Sequence, residues 1–153
     1  MRMLETKVPP PIVALLVGAA MWTAVHYAPT AQLRPQWRMF KAGALFALGV
    51  AVSILGVTAF RRARTTVNPV TPEAATSIVT AGIYSYTRNP MYVGLTSILL
   101  GWAAWLWVPW VTLGPLAFIL YIARFQIIPE ERVLSSKFGR DYLEYSQRVR
   151  RWI

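Results

Sequence analysis

Four apolar runs set between basic clusters limit what this chain can become. The first, Pro9 to Tyr27, follows Arg2 and Lys7 and opens on prolines, which start a helix well. It is long enough to cross a hydrocarbon core of about 30 Å. It also continues through Trp22 and His26, past the usual length of a signal-peptide core, and so reads as a retained span. The second run, Phe40 to Phe60, is interrupted only by Lys41, whose charge can snorkel outward, and it stops at Arg61, Arg62 and Arg64. Gly43, Gly49 and Gly56 would let a neighbouring helix approach closely.

Residues 65 to 90 read as a loop of mixed polarity holding Pro69, Pro72 and Gly82. Two shorter runs follow, Tyr92 to Val108 and Val111 to Ile128, joined at "WVPW". At 1.5 Å per residue the first of them rises only about 26 Å, slightly short of the hydrocarbon thickness. The pair reads as a tight helical hairpin, with Trp102, Trp105, Trp107 and Trp110 forming an aromatic belt near its tip. From Pro129 the pattern changes. Val133, Leu134, Phe138, Tyr142, Tyr145, Val149 and Trp152 recur at spacings of three and four among charges, as in an amphipathic helix lying at an interface. The expected fold is therefore all-α integral membrane, with about four transmembrane helices, the last two a tight hairpin, plus an amphipathic C-terminal helix. One membrane-embedded domain would cover residues 1–153: two N-terminal spans over 1–60, then loop, hairpin and tail over 61–153.

Composition agrees with lipid as the solvent: 56% of residues are hydrophobic and only 14% charged, against roughly a quarter charged in a soluble domain. The formal charge of +10 does not point to nucleic acid, because the basic residues gather beside apolar segments rather than in one stripe. With four spans, one side of the membrane holds Arg2, Lys7, Arg61, Arg62, Arg64, Arg88 and the basic residues of the tail. The other holds Arg34, Arg38 and Lys41. The richer side should be cytoplasmic, with both termini on it. The chain has no cysteine and a single histidine, His26, so thiolate chemistry, histidine-rich metal sites and a Ser-His-Asp triad are not expected. No metal and no nucleic-acid partner is anticipated; the partners are the bilayer and a lipophilic small-molecule or lipid-modified substrate.

Two constellations stand out for chemistry. In "RNPMY", Asn89 precedes a proline and is pushed out of helical conformation, which suits an N-cap, while Pro90 suits the first helical position. Free N–H groups at Met91, Tyr92 and Val93 beside Arg88 would form an anion site; the plainer alternative is a capped helix with an anchoring arginine. In "ARFQIIPEERVL", Arg124 ends an apolar helix and the adjacent carboxylates Glu130 and Glu131 could hold a cation. Arg124 could equally snorkel, and the two acids could simply complement the helix dipole. An up-and-down hairpin brings its first residue and its last together, so the anion site would face the cation site. A zwitterion such as the methionyl end of S-adenosylmethionine would suit such a pair. Tyr84, Tyr86 and Tyr92 could pack on an adenine or approach a sulfonium.

The ordered segments "VTAGIYSYTRNPMYVG", "PEERVL" and "FGRDYLEYSQRVRRW" resemble the C-terminal half of isoprenylcysteine carboxyl methyltransferases, within the broader group of membrane phospholipid methyltransferases. The resemblance covers residues 65 to 152 and implies an S-adenosylmethionine-dependent methyltransferase. Carried over, it implies cofactor contacts at Thr76, Ser77, Ile78, Val79, Tyr84, Asn89, Pro90, Met91, Tyr92 and Glu130. Eukaryotic members carry histidine where Asn89 stands. They also carry an arginine, thought to meet the substrate carboxylate, where Gln126 stands, which leaves Arg124 as the nearest replacement.

The expected activity is thus methyl transfer to a lipophilic acceptor. Arg88 or Arg124 would orient an acidic acceptor, whereas Glu130 or Glu131 would accept a proton from an amine. Arg88, Arg124 and Glu131 are the candidates for direct action on substrate. The alternatives are a phospholipid or amine N-methyltransferase of the same superfamily, a related membrane reductase, and a small membrane scaffold whose motifs only cap helices.

Overall fold

The computed structural model of the chain describes residues 5–27, 35–63 and 76–153. Arg2, Arg34, Arg64 and the first part of the 65–90 loop lie outside the described residues. All the regular structure in the described residues is helical.

Helix α1, Pro10–Tyr27, turns Val13, Ala14, Val17 and Met21 inward at spacings of three and four. Its carbonyl at Gly18 accepts a 3.1 Å hydrogen bond from the Trp102 indole. Helix α2, Trp37–Arg62, extends the expected run by three residues at its start and two at its end. It buries only Ala42, Gly49 and Gly56, one every seven residues. Those small residues form the seam with helix α3, Pro90–Leu106, which runs antiparallel to α2. A Cβ on Gly49 would fall 2.5 Å from the Gly94 carbonyl oxygen, one on Gly101 3.0 Å from the Ala42 carbonyl, and one on Gly56 2.9 Å from Met91 Cγ. Backbone therefore meets backbone along the seam, as close-packed membrane helices do. The outer face of α2 keeps Phe40, Phe46, Leu48, Ile54 and Leu55 exposed, a surface that suits lipid tails and not water.

Trp107 takes the left-handed conformation (φ 56°) and closes α3 by donating its N–H to the Ala103 carbonyl. Its ring meets Trp37 edge-on at 4.5 Å, and the Arg38 guanidinium lies 4.9 Å from the Trp105 ring. The hairpin tip thus sits beside the start of α2, and the opposite end of α2 reaches Pro90 and Met91. A short 3-10 turn, Pro109–Thr112, then leads into α4, Leu113–Ile122, a π turn, Ala123–Ile127, and α5, Ile128–Phe138.

That second arm departs from the sequence expectation. The apolar run does end near Ile128, but the helix does not: one continuous helical stretch runs over Pro109–Phe138, and the tail proper begins only at Gly139. The π turn explains the continuity. Proline lacks an N–H and normally breaks the hydrogen-bond ladder, but a wide turn just ahead of Pro129 absorbs the mismatch without ending the helix. Gly139, at φ 52° and ψ −121°, makes the break instead, and α6, Arg140–Arg148, follows. The expected single amphipathic helix is therefore split between the end of the hairpin and α6. Among the described residues, the helices Pro10–Tyr27, Trp37–Arg62 and Pro109–Phe138 are long and apolar enough to cross a membrane, and α3 is a shorter apolar helix. The molecule is an all-helical membrane protein, with three candidate spans among its described residues.

Candidate active site

The end of the hairpin opposite its tip gathers most of the candidate residues, through three contacts. The first joins the two arms. Tyr92, one turn into α3, is buried and donates its phenol hydrogen to Glu130 of α5, 2.9 Å from Oε1 and 3.1 Å from Oε2. The Gln126 amide nitrogen donates to the same Oε1 at 3.1 Å. Gln126 sits in the π turn and is almost wholly buried. Among the described residues Glu130 has no cationic partner, only neutral donors. A carboxylate in that setting lacks a counter-charge.

The second contact is ionic. Glu131 lies between Arg88 and Arg151: Arg88 Nη1 is 3.1 Å from Oε1, while Arg151 takes both oxygens, Nε to Oε1 at 3.0 Å and Nη2 to Oε2 at 2.7 Å. The fork-to-fork geometry is the strong form of this interaction. The hydrogen bond from Arg151 to Glu131 also raises the Arg151 pKa above its ordinary value. Arg88 Nε is buried and finds no acceptor among the described residues.

The third contact fixes the loop. Tyr145 of α6 donates to the Tyr84 carbonyl at 2.8 Å, and the Tyr84 ring meets Phe60 of α2 edge-on at 5.2 Å. Burial, the largest cause in each case, raises the Tyr84, Tyr142 and Tyr145 phenols above the ordinary tyrosine value. Beside this turn an open cleft of about 340 Å³ is lined by Ala59, Arg62, Ala63, Ile78, Val79, Thr80, Ala81 and Gly82.

Asn89 does hold the N-cap position of α3, and its carbonyl accepts from the Tyr92 and Val93 amides, both at 3.0 Å. Its side chain does not cap the helix. At φ −131° and ψ 53° the amide turns away and donates to the Arg151 carbonyl at 2.9 Å. Two of the three N–H groups expected to be free at the helix N-terminus, those of Tyr92 and Val93, are therefore taken by the Asn89 carbonyl, and a buried donor without an acceptor among the described residues is the Arg88 Nε. Pro90 and Met91 pack against Gly56. Thr76 and Ser77 precede the cleft-lining pair Ile78 and Val79.

Arg124 is not brought to this cluster. It pairs with Glu5 at 3.6 Å, beside Arg132 at 3.4 Å from the same carboxylate. At about 100° per residue, Arg124 and Gln126 face roughly opposite sides of their helix, so burying one turns the other outward. Arg151 and Thr87 were not foreseen. Thr87 accepts from the Asn89 amide at 3.2 Å and reaches the Arg151 carbonyl at 3.4 Å. The run "RVRRW" announced charge, but no spacing rule says which of its arginines meets Glu131.

The family model described as Phospholipid methyltransferase matches residues 37–141. The chain belongs to that family. Its match begins at α2 and covers the whole hairpin and every residue of the Tyr92–Gln126–Glu130 contact. An uncharacterised protein of Haemophilus influenzae is 51% identical over 63 residues, covering 41% of this chain and all of that protein. A probable protein-S-isoprenylcysteine O-methyltransferase of Oryza sativa subsp. indica is 31% identical over 122 residues, 77% of this chain. Protein-S-isoprenylcysteine O-methyltransferase B of Arabidopsis thaliana is 39% identical over 75 residues, 47% of this chain. The chain spans 62% of the length of the rice protein and 36% of the Arabidopsis one. No solved structure matches.

Proposed function

We propose that this chain is an S-adenosylmethionine-dependent methyltransferase whose acceptor is a lipophilic molecule held in the bilayer. The observation that carries the reading is a pair of groups at one end of the hairpin that are uncompensated among the described residues: the Glu130 carboxylate, held there by neutral donors, and the buried Arg88 Nε, which finds no acceptor there. An ammonium and a carboxylate on one ligand would complete both, and the methionyl end of the cofactor carries that pair. The residues therefore fit the group. Glu130 would take the ammonium and Arg88 the carboxylate. Tyr92, Asn89, Pro90 and Met91 would form the wall at the start of α3, and Tyr84 with Thr76, Ser77, Ile78 and Val79 would form the loop side.

When bound, the cofactor supplies a methyl group already activated on a sulfonium. The work left to the protein is to orient, to exclude water and to hold charge in fixed places. Tyr92 and Gln126 hold the Glu130 carboxylate in one orientation. The apolar walls of α3, with the buried Thr96 hydroxyl turned back onto the Tyr92 carbonyl, keep competing donors out of the interior. Both termini would be cytoplasmic, with the cofactor reached from that side and the acceptor from the membrane.

The plant relatives favour a prenylcysteine carboxylate as acceptor. A phospholipid amine is the second reading, and one observation favours it: Gln126, not a cation, lies beside Glu130, and Arg124 is engaged by Glu5.

Titration calorimetry of the detergent-purified protein with S-adenosylhomocysteine, the demethylated product, tests the core of the reading. Saturable binding with about one ligand per chain is expected. A folded sample that binds none in several lipids would overturn it.

A further inference from the structure

The last residues of the described chain lie across the entrance to α3 like a strap. After α6, Val149 is extended (φ −118°, ψ 130°). The Arg150 carbonyl accepts from the Arg88 amide at 3.0 Å, and the Arg151 carbonyl accepts from the Asn89 side chain at 2.9 Å and lies 3.4 Å from the Thr87 hydroxyl. Trp152 packs against the hydrophobic core beyond them. Two consecutive carbonyls of the strap thus engage all three residues of the turn 87–89, while the Arg151 side chain reaches over to Glu131.

The charges in this trio are unequal. Two guanidinium groups share one carboxylate, so one positive charge is left over. Arg151 claims both oxygens of Glu131, and Arg88 shares only Oε1 through Nη1. Without Arg151, Glu131 would be free to close on Arg88 in the two-pronged geometry that guanidinium and carboxylate favour, and would quench it. With Arg151 in place, Arg88 keeps the surplus charge and a buried Nε that finds no acceptor among the described residues.

We propose that Arg151 is a positioning residue: by holding Glu131 in its own fork it leaves Arg88 open to the carboxylate of the ligand, so seating of the C-terminal strap and ligand binding are coupled. This rests on the methyltransferase reading of the same site. Coupling of this kind is reciprocal, so a ligand that binds the seated state must also hold the strap down.

The test uses the full chain in lipid nanodiscs, with S-adenosylhomocysteine as probe and three variants, Arg151→Ala, Arg151→Lys and Val149→Ala. Calorimetry should show affinity reduced about tenfold in Arg151→Ala and partly restored in Arg151→Lys, which keeps the charge but not the fork. Val149→Ala, which leaves every strap hydrogen bond intact, should bind within about twofold of wild type. Hydrogen exchange supplies a readout that a static brace would not move: the Arg88 amide, whose acceptor is the Arg150 carbonyl, should exchange several-fold more slowly once the probe is bound. Should Arg151→Ala not fold, Arg151→Lys decides. Wild-type binding with unchanged affinity in the folded Arg151 variants, or with no added protection at Arg88, overturns the strap proposal alone. Absence of binding by folded wild type overturns the methyltransferase reading beneath it.

Discussion

Glu130→Gln separates a binding role for this carboxylate from a structural one, because the two predict opposite pairs of results. The substitution keeps the shape of the side chain and removes the charge. Among the described residues that charge has the Tyr92 phenol and the Gln126 amide for partners, both neutral donors. Holding a carboxylate there without a counter-ion costs free energy, so its neutral isostere should leave thermal stability unchanged or slightly higher. The Gln oxygen can still accept from Tyr92. A ligand ammonium, by contrast, would lose a charge-assisted hydrogen bond of about 1.5–3 kcal/mol. At 1.4 kcal/mol per decade, this weakens S-adenosylhomocysteine binding roughly 10- to 150-fold. The assay is calorimetric titration of wild type and variant side by side, with melting curves on the same samples. A variant that melts earlier and binds as wild type does would refute the reasoning, since Glu130 would then be a structural brace.

Other expectations follow from the same geometry. Arg88→Ala should weaken S-adenosylhomocysteine binding by more than tenfold with only a small fall in melting temperature, because Glu131 keeps Arg151; a large fall with unchanged affinity would mean that Arg88 is an anchor. Arg124→Ala should leave affinity within about twofold, as its partner is Glu5, and a tenfold loss would show that it reaches the ligand. Gly94→Ala places a methyl against Ser53 Oγ and 2.6 Å from the Gly49 carbonyl oxygen, so overpacking should cost about 1–3 kcal/mol or more, read as a lower melting temperature. The tyrosines predict alkaline sensitivity. The Tyr84 and Tyr145 phenols are raised by burial, so their contribution to stability is fully present below the unfolded tyrosine pKa of about 10 and is lost as pH rises toward the folded values. Melting temperature should be flat from about pH 7 to 9 and fall above about pH 10, with a shallower fall in Tyr145→Phe; an identical fall in that variant would exclude Tyr145 as a source.

The spans were legible because lipid demands long apolar runs: Pro9–Tyr27 and Phe40–Phe60 lie within a few residues of α1 and α2. The seam was half legible. Gly49 and Gly56 do meet α3, whereas a Cβ on Gly43 meets nothing, since the true period passes through Ala42. The length of the second arm was hidden, because proline at 129 reads as a stop unless the π turn ahead of it is known. At the site, chain order foretold that Glu130 would approach the start of α3. It could not foretell which polar atoms are already used: the Asn89 amide goes to the strap, Arg124 to Glu5, and Arg88 shares Glu131 with Arg151. Those pairings depend on side-chain direction over long sequence separations, where periodicity carries no information.

The central claim is methyl transfer from S-adenosylmethionine to a molecule in the membrane. Its most direct test is to incubate the purified protein in nanodiscs with methyl-labelled S-adenosylmethionine, together with a total lipid extract or a prenylcysteine, and to follow the label into the organic phase. The account predicts labelled lipophilic product, formed by wild type and strongly reduced in Glu130→Gln. Label that stays in the aqueous phase with folded, S-adenosylhomocysteine-binding protein, whichever acceptor is supplied, would contradict it.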